Sequence, residues 1–244
     1  MSQDEPIADL RARAGAETSH RDANRRMFER IAPTYDTLNR LLSAGLDRRW
    51  RAKAVAHIEA APPGPVLDLC AGTLDLTTLL ARARPRDRVV AVDLSGAMLA
   101  AGRRKVSRAE TLVADAARLP FERGEFSAVV CGFGMRNLAD PEAGAREVLR
   151  VLRPGGIFVT LELFRPTRGV TQAFHKAYAR VVLPAVGGWV SGEPGAYRYL
   201  AASMGTFLTR QEYERMLAEV GFGGVRGCDL TLGVAAIVRA EVRP

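Results

Sequence analysis

The stretch VLDLCAGTLD, residues 66–75, decides the fold of this chain. A short apolar run containing one acid leads into a turn of small residues around Gly72, and residues 75–83 then carry apolar side chains at helical spacing. This order indicates a buried strand, a tight turn and a helix. A second apolar run at 88–94 completes a β-α-β unit, which predicts that the two strands are parallel.

The same alternation continues towards the C-terminus. Further strands are predicted at 110–114, 126–133 and 157–163, with helices at 95–105, 141–152 and 209–220 between and after them. Two final apolar runs, 221–230 and 234–242, predict an antiparallel hairpin at one edge. The sequence therefore predicts an α/β fold with a Rossmann-like, mostly parallel seven-stranded sheet, an antiparallel C-terminal hairpin, and helices on both faces.

The ends of the chain frame this core. Residues 1–20 are polar and predict a flexible tail, whereas 21–244 predict a single domain. Helical spacing over 21–60, broken by a proline and a glycine, predicts an N-terminal helical cap. A second helical segment, 165–208, is expected as an insertion on the substrate side.

Composition excludes several classes of protein. With 244 residues, 48% hydrophobic and 25% charged, the chain is long and apolar enough to fold as one domain, and disorder is excluded as its main state. No stretch approaches the ~20 apolar residues that span a bilayer. The polar N-terminus lacks the apolar region of a signal peptide. Three scattered cysteines favour neither a disulfide framework nor a zinc site, so no metal is expected and a cytoplasmic location is favoured.

The net charge of +8 leaves the partner open. A solvated basic surface explains it, and so does an acidic partner, a nucleic acid or the anionic face of a membrane. No Asn/Asp-Pro-Pro-Tyr/Phe run follows the fourth strand, and that motif marks methylation of base amino groups. We therefore expect no nucleic-acid partner.

Acids recur where predicted strands end, and in a parallel sheet those ends meet at one edge, where ligands bind. Asp68 and Asp93 mark the first two strands, and Asp115 with Ala116 follows the third. A carboxylate such as Asp93 can accept from two ribose hydroxyls. The alternative is that these acids merely cap helices and turns.

The loop after the first strand does not suit a dinucleotide. Gly72 is the only glycine in it, whereas a pyrophosphate-binding loop needs several for close backbone approach. A loop that begins with an acid favours a cationic ligand, and S-adenosylmethionine carries an ammonium and a sulfonium. The sequence therefore predicts S-adenosylmethionine as the cofactor, near Asp68 and Gly72.

Motifs along most of the chain resemble those of a known family. The run Asp68–Asp75, the segment VDLSGAML at 92–99 and Asp115-Ala116 resemble the core of class I S-adenosylmethionine-dependent methyltransferases. Further segments narrow the resemblance to the ubiquinone/menaquinone C-methyltransferase family over roughly residues 25–222. These segments are Met27–Asn39, Gly45–Arg51, Phe133–Asn137, Leu152–Gly156 and Ala196–Leu200.

The resemblance implies methyl transfer to a ring carbon of a demethylated quinol that carries a polyprenyl tail. It also implies cofactor contacts by Thr73, Asp93, Asp115 and Ala116. The sequence departs from the family at two positions. Leu74 stands where a glycine is usual, and if the turn needs φ > 0 there, the strain costs on the order of 1 kcal/mol. Gly132 stands where some members have a serine.

Carbon methylation needs an electron-rich ring carbon, which deprotonation of the neighbouring hydroxyl provides. Arg136, after the fourth strand, is the first candidate to stabilise a phenolate or to orient a water molecule that takes the proton. Asn137 is a candidate to orient the hydroxyl. Tyr35 and Asp36 from the N-terminal cap, and Tyr197 from the insertion, are candidates to close over the substrate. The alternatives are a structural salt bridge for Arg136 and lid packing for the tyrosines.

Two features suggest how the acceptor side is built. His175, on a predicted amphipathic helix, is a further candidate for the base that takes the phenolic proton. The segment 170–190 mixes apolar and basic residues, which suits a tunnel for the lipid tail, contact with the inner face of a membrane, or ordinary helix packing. A homodimer also remains open.

Three functions remain in competition. The first is quinol C-methylation, on either a naphthoquinol or a benzoquinol ring. The second is a class I methyltransferase acting on another phenolic or lipid molecule, because one fold serves many acceptors. The third is a degenerate protein that binds S-adenosylmethionine without catalysis, for which Leu74 is the only support.

Overall fold

The computed structural model describes residues 7–167, 169, 172, 203 and 205–243, and the side chains from residue 15 onward. Within this part, seven strands form one sheet in the order β3-β2-β1-β4-β5-β7-β6. The strands are β1 (Val66–Leu69), β2 (Val89–Asp93), β3 (Glu110–Val113), β4 (Phe126–Gly132), β5 (Leu152–Glu162), β6 (Gly223–Leu230) and β7 (Ala235–Glu241).

Strands β1 to β5 pair in parallel, and β7 pairs antiparallel with both β5 and β6. The predicted mixed sheet with a C-terminal hairpin at one edge is confirmed. The order reverses between β1 and β4, because the chain proceeds outward to β3 and then returns to the other side of β1. Ligands bind at such a reversal in open α/β sheets.

The helices cover both faces of the sheet. They are α1 (Ile7–Ile31), α2 (Tyr35–Leu42), α3 (Leu46–Ala56), α4 (Asp75–Ala83), α5 (Gly96–Gly102), α6 (Pro141–Val151) and α7 (Arg210–Val220). Helices α3 and α4 pack on one face, against Val66 and Val130 among others. Helices α6 and α7 pack on the other, against Leu67 and Phe158 among others. The side chains of neighbouring β1 residues thus point to opposite faces of the sheet, as strand alternation requires.

Local signals set the helix ends. Ser95 accepts a hydrogen bond from the Met98 amide and caps α5. Thr209 and Glu212 form a capping box at the start of α7. Among the described residues, no helix is both long and apolar enough to cross a membrane.

Two boundaries differ from the sequence predictions. Helix α1 begins at Ile7, so residues 7–20, which were expected in a tail, are helical. Its polar residues show no strong apolar stripe, and the pattern therefore gave no signal for a helix. Strand β5 begins at Leu152 instead of Ile157, because the Arg153–Gly156 segment, which lies between the predicted helix and strand, belongs to the strand.

Candidate active site

Two adjoining cavities lie at the carboxyl ends of β1, β2 and β4. The larger has a volume of about 240 Å³ and the smaller about 90 Å³. Residues shared by both include Asn24, Cys70, Asp93 and Asn137. The shared residues come from one helix and three strand ends, so the cavities form one cleft at the reversal of strand order. The sequence predicted a site at this edge.

Asp93 lies at the centre of the cleft. Its Oδ2 accepts from the Gly72 amide at 2.8 Å, and its Oδ1 accepts from the Ser95 amide at 2.8 Å. Burial raises the pKa of Asp93, although backbone hydrogen bonds from Ser95, Gly72 and Leu94 oppose the shift. Asp93 therefore joins the Gly72 turn to the start of α5, and it lines both cavities.

The larger cavity continues past β3. Asp115 and Ala116 line it, as the predicted cofactor contacts require, and Asp115 Oδ1 accepts from the Ala117 amide at 2.9 Å. The Arg21 guanidinium from α1 reaches Asp115 Oδ2 at 2.9 Å. Helix α1 therefore closes this end of the cleft.

Asp68 does not line either cavity. Its side chain is fully buried, Oδ2 accepts from the Thr77 hydroxyl at 2.5 Å, and Oδ1 has no hydrogen-bond partner among the described residues. Burial raises the pKa of Asp68 to about 7. The carboxyl group lies beneath the turn because alternation along β1 directs it to the same face as Val66.

This shift gives a pH-dependent prediction. Between about pH 4 and pH 7 the folded chain retains a proton at Asp68 that the unfolded chain releases, so this group lowers the free energy of unfolding as pH rises. Asp68→Asn removes this dependence. Relative to wild type, the melting temperature of the variant should therefore increase by roughly 5 °C between pH 5 and pH 8. A difference that stays constant with pH would contradict the assignment.

Leu74 occupies the left-handed conformation that a glycine would adopt freely. Its φ is 65° and ψ is 21°, at the N-cap of α4. The side chain is fully buried beside Ala71, Ala91 and Leu99, and it lines neither of the two cavities. The turn has therefore accommodated the leucine, with its strain offset by burial.

Leu74→Gly should destabilise the protein although it relieves this strain. Removing a buried leucine side chain costs roughly 2–5 kcal/mol, and the relieved backbone strain returns about 1 kcal/mol. We expect a net loss of about 2 kcal/mol in chemical denaturation. Cofactor affinity, measured by calorimetry, should change little, and a gain of tenfold or more would show that Leu74 obstructs the cleft.

Thr73 and Asp36 bind each other. The Thr73 hydroxyl donates to Asp36 Oδ1 at 2.5 Å, and Lys105 forms ion pairs with both Asp36 and Asp75. Burial alone would raise the pKa of Asp36, but hydrogen bonds from Lys105 and Thr73 hold it below its ordinary value. Neither Thr73 nor Asp36 lines the two cavities. The hydrogen bond between Thr73 and Asp36 links α2 to the Gly72 turn.

Arg136 and Asn137 follow β4 in a short 3₁₀ turn. Arg136 forms a buried ion pair with Glu162 and does not line either of the two cavities, so the salt bridge considered as its alternative role is present. Asn137 lines both cavities, and its Nδ2 donates to the Phe133 carbonyl at 3.0 Å. Tyr197 and His175 lie outside the described residues, as does nearly all of the segment 170–190.

The smaller cavity has an aromatic lining. Phe28, Tyr35 and Phe133 line it together with Gly132. Phe28 and Tyr35 contact edge to face, with ring centroids 6.2 Å apart. The Arg51 guanidinium lies over the Phe133 ring, 5.3 Å from its centroid. This lining suits a planar, electron-rich ring.

The sequence analysis missed two groups of residues. Glu17, Thr18, Arg21 and Asn24 of α1 line the larger cavity. No local pattern marks them, because their role depends on where α1 crosses the sheet edge. Glu162 is the second omission, although an acid at the end of a strand is the signal that identified Asp93.

The cleft fits S-adenosylmethionine. Asp93 offers a carboxylate to ribose hydroxyls, and Asp115 with Ala116 lines the cavity beyond it. The Asp68 oxygen that has no hydrogen-bond partner among the described residues is a buried acceptor beneath the turn. The sheet order and this set of acids are those expected of a class I S-adenosylmethionine-dependent methyltransferase.

Solved structures share this fold. A methyltransferase from Thermotoga maritima superposes with a TM-score of 0.66 at 16% identity, covering 89% of this chain and 99% of that chain. A phosphoethanolamine N-methyltransferase from Haemonchus contortus, in complex with S-adenosylmethionine, gives a TM-score of 0.57 at 14% identity, covering 79% and 52%.

Sequence relatives are more specific. A demethylmenaquinone methyltransferase of Thermus thermophilus is 46% identical over 86% of this chain and 97% of that protein. A ubiquinone/menaquinone biosynthesis C-methyltransferase of Syntrophotalea carbinolica is 42% identical over 87% and 91%. Residues 17–241 match the model of the ubiE/COQ5 methyltransferase family. The chain belongs to that family, which confirms the resemblance seen in its motifs.

Proposed function

We propose that this enzyme methylates a ring carbon of a polyprenylated quinol, with demethylmenaquinol as the acceptor to test first. The observation that carries the proposal is the pair of adjoining cavities, one lined by the strand-end acids and the other by Phe28, Tyr35 and Phe133. Relatives named for demethylmenaquinone support the choice of ring.

In this proposal the larger cavity holds the cofactor and the smaller one the quinol ring. When bound, S-adenosylmethionine supplies an electrophilic methyl group. Asp93, Asp115 and Ala116 would hold the cofactor, while Asp68 lies beneath the turn. Thr73 acts indirectly, by securing the turn to Asp36.

Asn137 is the residue that we place against the acceptor hydroxyl, because it lines both cavities. We assign to the neighbouring Arg136 guanidinium, which is paired with Glu162, the role of favouring the phenolate electrostatically. Tyr35 packs against the ring and, with Phe28, excludes water from the smaller cavity. Aligning two reactants in a closed cleft can supply roughly 7–11 kcal/mol of the barrier reduction.

The test is incubation with methyl-labelled S-adenosylmethionine and chemically reduced demethylmenaquinol. We expect label on the ring carbon of the lipid. The oxidised quinone is the matched control and should take no label, because its ring carbon is electron-poor. Labelling of unrelated phenols alone would support the second function, and cofactor binding without transfer to any acceptor would support the degenerate alternative.

Peripheral contact with a membrane and a homodimer belong to this proposal only as predictions. The lipid tail of the acceptor motivates the first. A cytoplasmic location is likewise proposed, because three scattered cysteines favour no disulfide framework.

A further inference from the structure

Glu162 is a fully buried carboxylate at the carboxyl end of β5. It accepts hydrogen bonds from the Leu163 amide at 2.8 Å and from the Arg136 amide at 3.2 Å, and it forms an ion pair with the Arg136 guanidinium. One side chain thus binds both the backbone and the charge of a residue that the proposed function uses.

The contacts of Glu162 extend to the whole turn after β4. Arg136 Nη1 donates to the Phe133 carbonyl at 2.9 Å, and Asn137 Nδ2 donates to the same carbonyl at 3.0 Å. The Phe133 amide donates to the Leu161 carbonyl at 2.7 Å, so β5 holds the turn at both ends. The side chain that lines both cavities, Asn137, is therefore linked to Glu162 through Arg136 and one carbonyl.

Two features of the turn after β4 indicate that it requires these contacts to keep its conformation. Phe133 has a φ of 60°, a conformation that is strained for an aromatic residue and persists only where its surroundings impose it. The Arg136 side chain is only 7% exposed, and a buried guanidinium without its carboxylate is costly. The planar guanidinium also keeps a fixed orientation when one nitrogen binds both a carboxylate and a carbonyl.

We propose that Glu162 is the positioning residue of the acceptor side. It orients the Arg136 guanidinium and, through the shared Phe133 carbonyl, the Asn137 amide that faces the quinol. This inference rests on the proposed function. It predicts that loss of the Glu162 charge reduces the rate of the chemical step and leaves cofactor binding intact.

The experiment compares Glu162→Gln with a matched variant, Glu147→Gln. Glu147 also forms an ion pair with an arginine, Arg150, and accepts a backbone amide, from Leu119 at 2.8 Å, but it lies outside both cavities. Glu162→Gln should lower kcat by roughly 10–100-fold, with the quinol KM and the cofactor Kd within about threefold of wild type. Glu147→Gln should leave kcat unchanged.

Two further variants separate positioning from folding. Glu162→Asp keeps the charge and should recover part of kcat, and it serves if Glu162→Gln fails to fold. The double variant Arg136→Gln with Glu162→Gln should be no slower than Arg136→Gln alone, because both changes remove one interaction. Losses that multiply would overturn the proposal.

The remaining outcomes are distinct. If wild type labels the quinol and folded Glu162→Gln or Glu162→Asp turns over at the wild-type rate, the Glu162 assignment is wrong and the proposed function stands. If wild type labels no quinol, the proposed function is wrong, and the assignment of Glu162 falls with it.

Discussion

Replacing Asp93 with alanine is expected to weaken S-adenosylmethionine binding by roughly 100-fold or more. In the proposed binding mode the carboxylate accepts hydrogen bonds from two ribose hydroxyls, and hydrogen bonds to a charged group contribute about 1.5–3 kcal/mol each. The variant also leaves the Gly72 and Ser95 amides without the carboxylate to which they donate hydrogen bonds in the wild type. The loss should therefore appear both in calorimetric affinity and, to a smaller degree, in melting temperature.

A second aspartate separates these two effects. Asp87 accepts a hydrogen bond from the Gly64 amide at 3.2 Å and forms an ion pair with Arg84. It lines neither of the two cavities. Asp87→Ala should lower the melting temperature while the cofactor affinity stays at the wild-type value. If Asp93→Ala binds the cofactor as tightly as Asp87→Ala does, Asp93 is only a cap for the turn.

Gly102→Ala is expected to distort the Gly72 turn at the cofactor site. A Cβ at Gly102 would lie 2.3 Å from the Thr73 carbonyl oxygen and 2.8 Å from Leu74 Cγ. Because the first of these neighbours is backbone, either α5 or the Gly72 turn must shift. We expect a loss of about 3 kcal/mol in stability, which is roughly 10 °C in melting temperature, and at least a tenfold weaker cofactor affinity.

Gly96→Ala is the control on the same helix. There a Cβ would lie 3.5 Å from Val113 Cγ2, an ordinary contact, and alanine favours a helix over glycine by up to about 1 kcal/mol. This variant should be neutral or slightly more stable, with unchanged cofactor affinity. Equal losses in the two variants would mean that α5 tolerates no side chain at either position, and that the turn is not the sensitive element.

The fold was predictable because its signals are local. In the part of the chain that the structure describes, alternating apolar runs and helical spacing identified the seven strands and the helices after Ile58, and the caps at Ser95 and Thr209 follow from short-range hydrogen bonds. The edge at which Asp93 and Asp115 meet also follows from sequence, since parallel strands end on the same side.

The candidate site was predictable only in part. Asp93, Asp115 and Asn137 reach the cleft, but Asp36 and Thr73 bind each other outside both cavities. A strand-end position places a residue near the edge without fixing the direction of its side chain. That direction depends on packing against elements distant in sequence.

From the sequence alone come the sheet, its topological class, the family and the edge that carries the cleft, because these depend on periodicity, turn chemistry and ordered motifs. Tertiary structure alone decided that α1 closes the cleft through Arg21 and Asp115, and that Arg136 is held by Glu162. The partners in these ion pairs are 94 and 26 residues apart. No local pattern encodes such pairs, since burial and the approach of distant segments determine which charges meet.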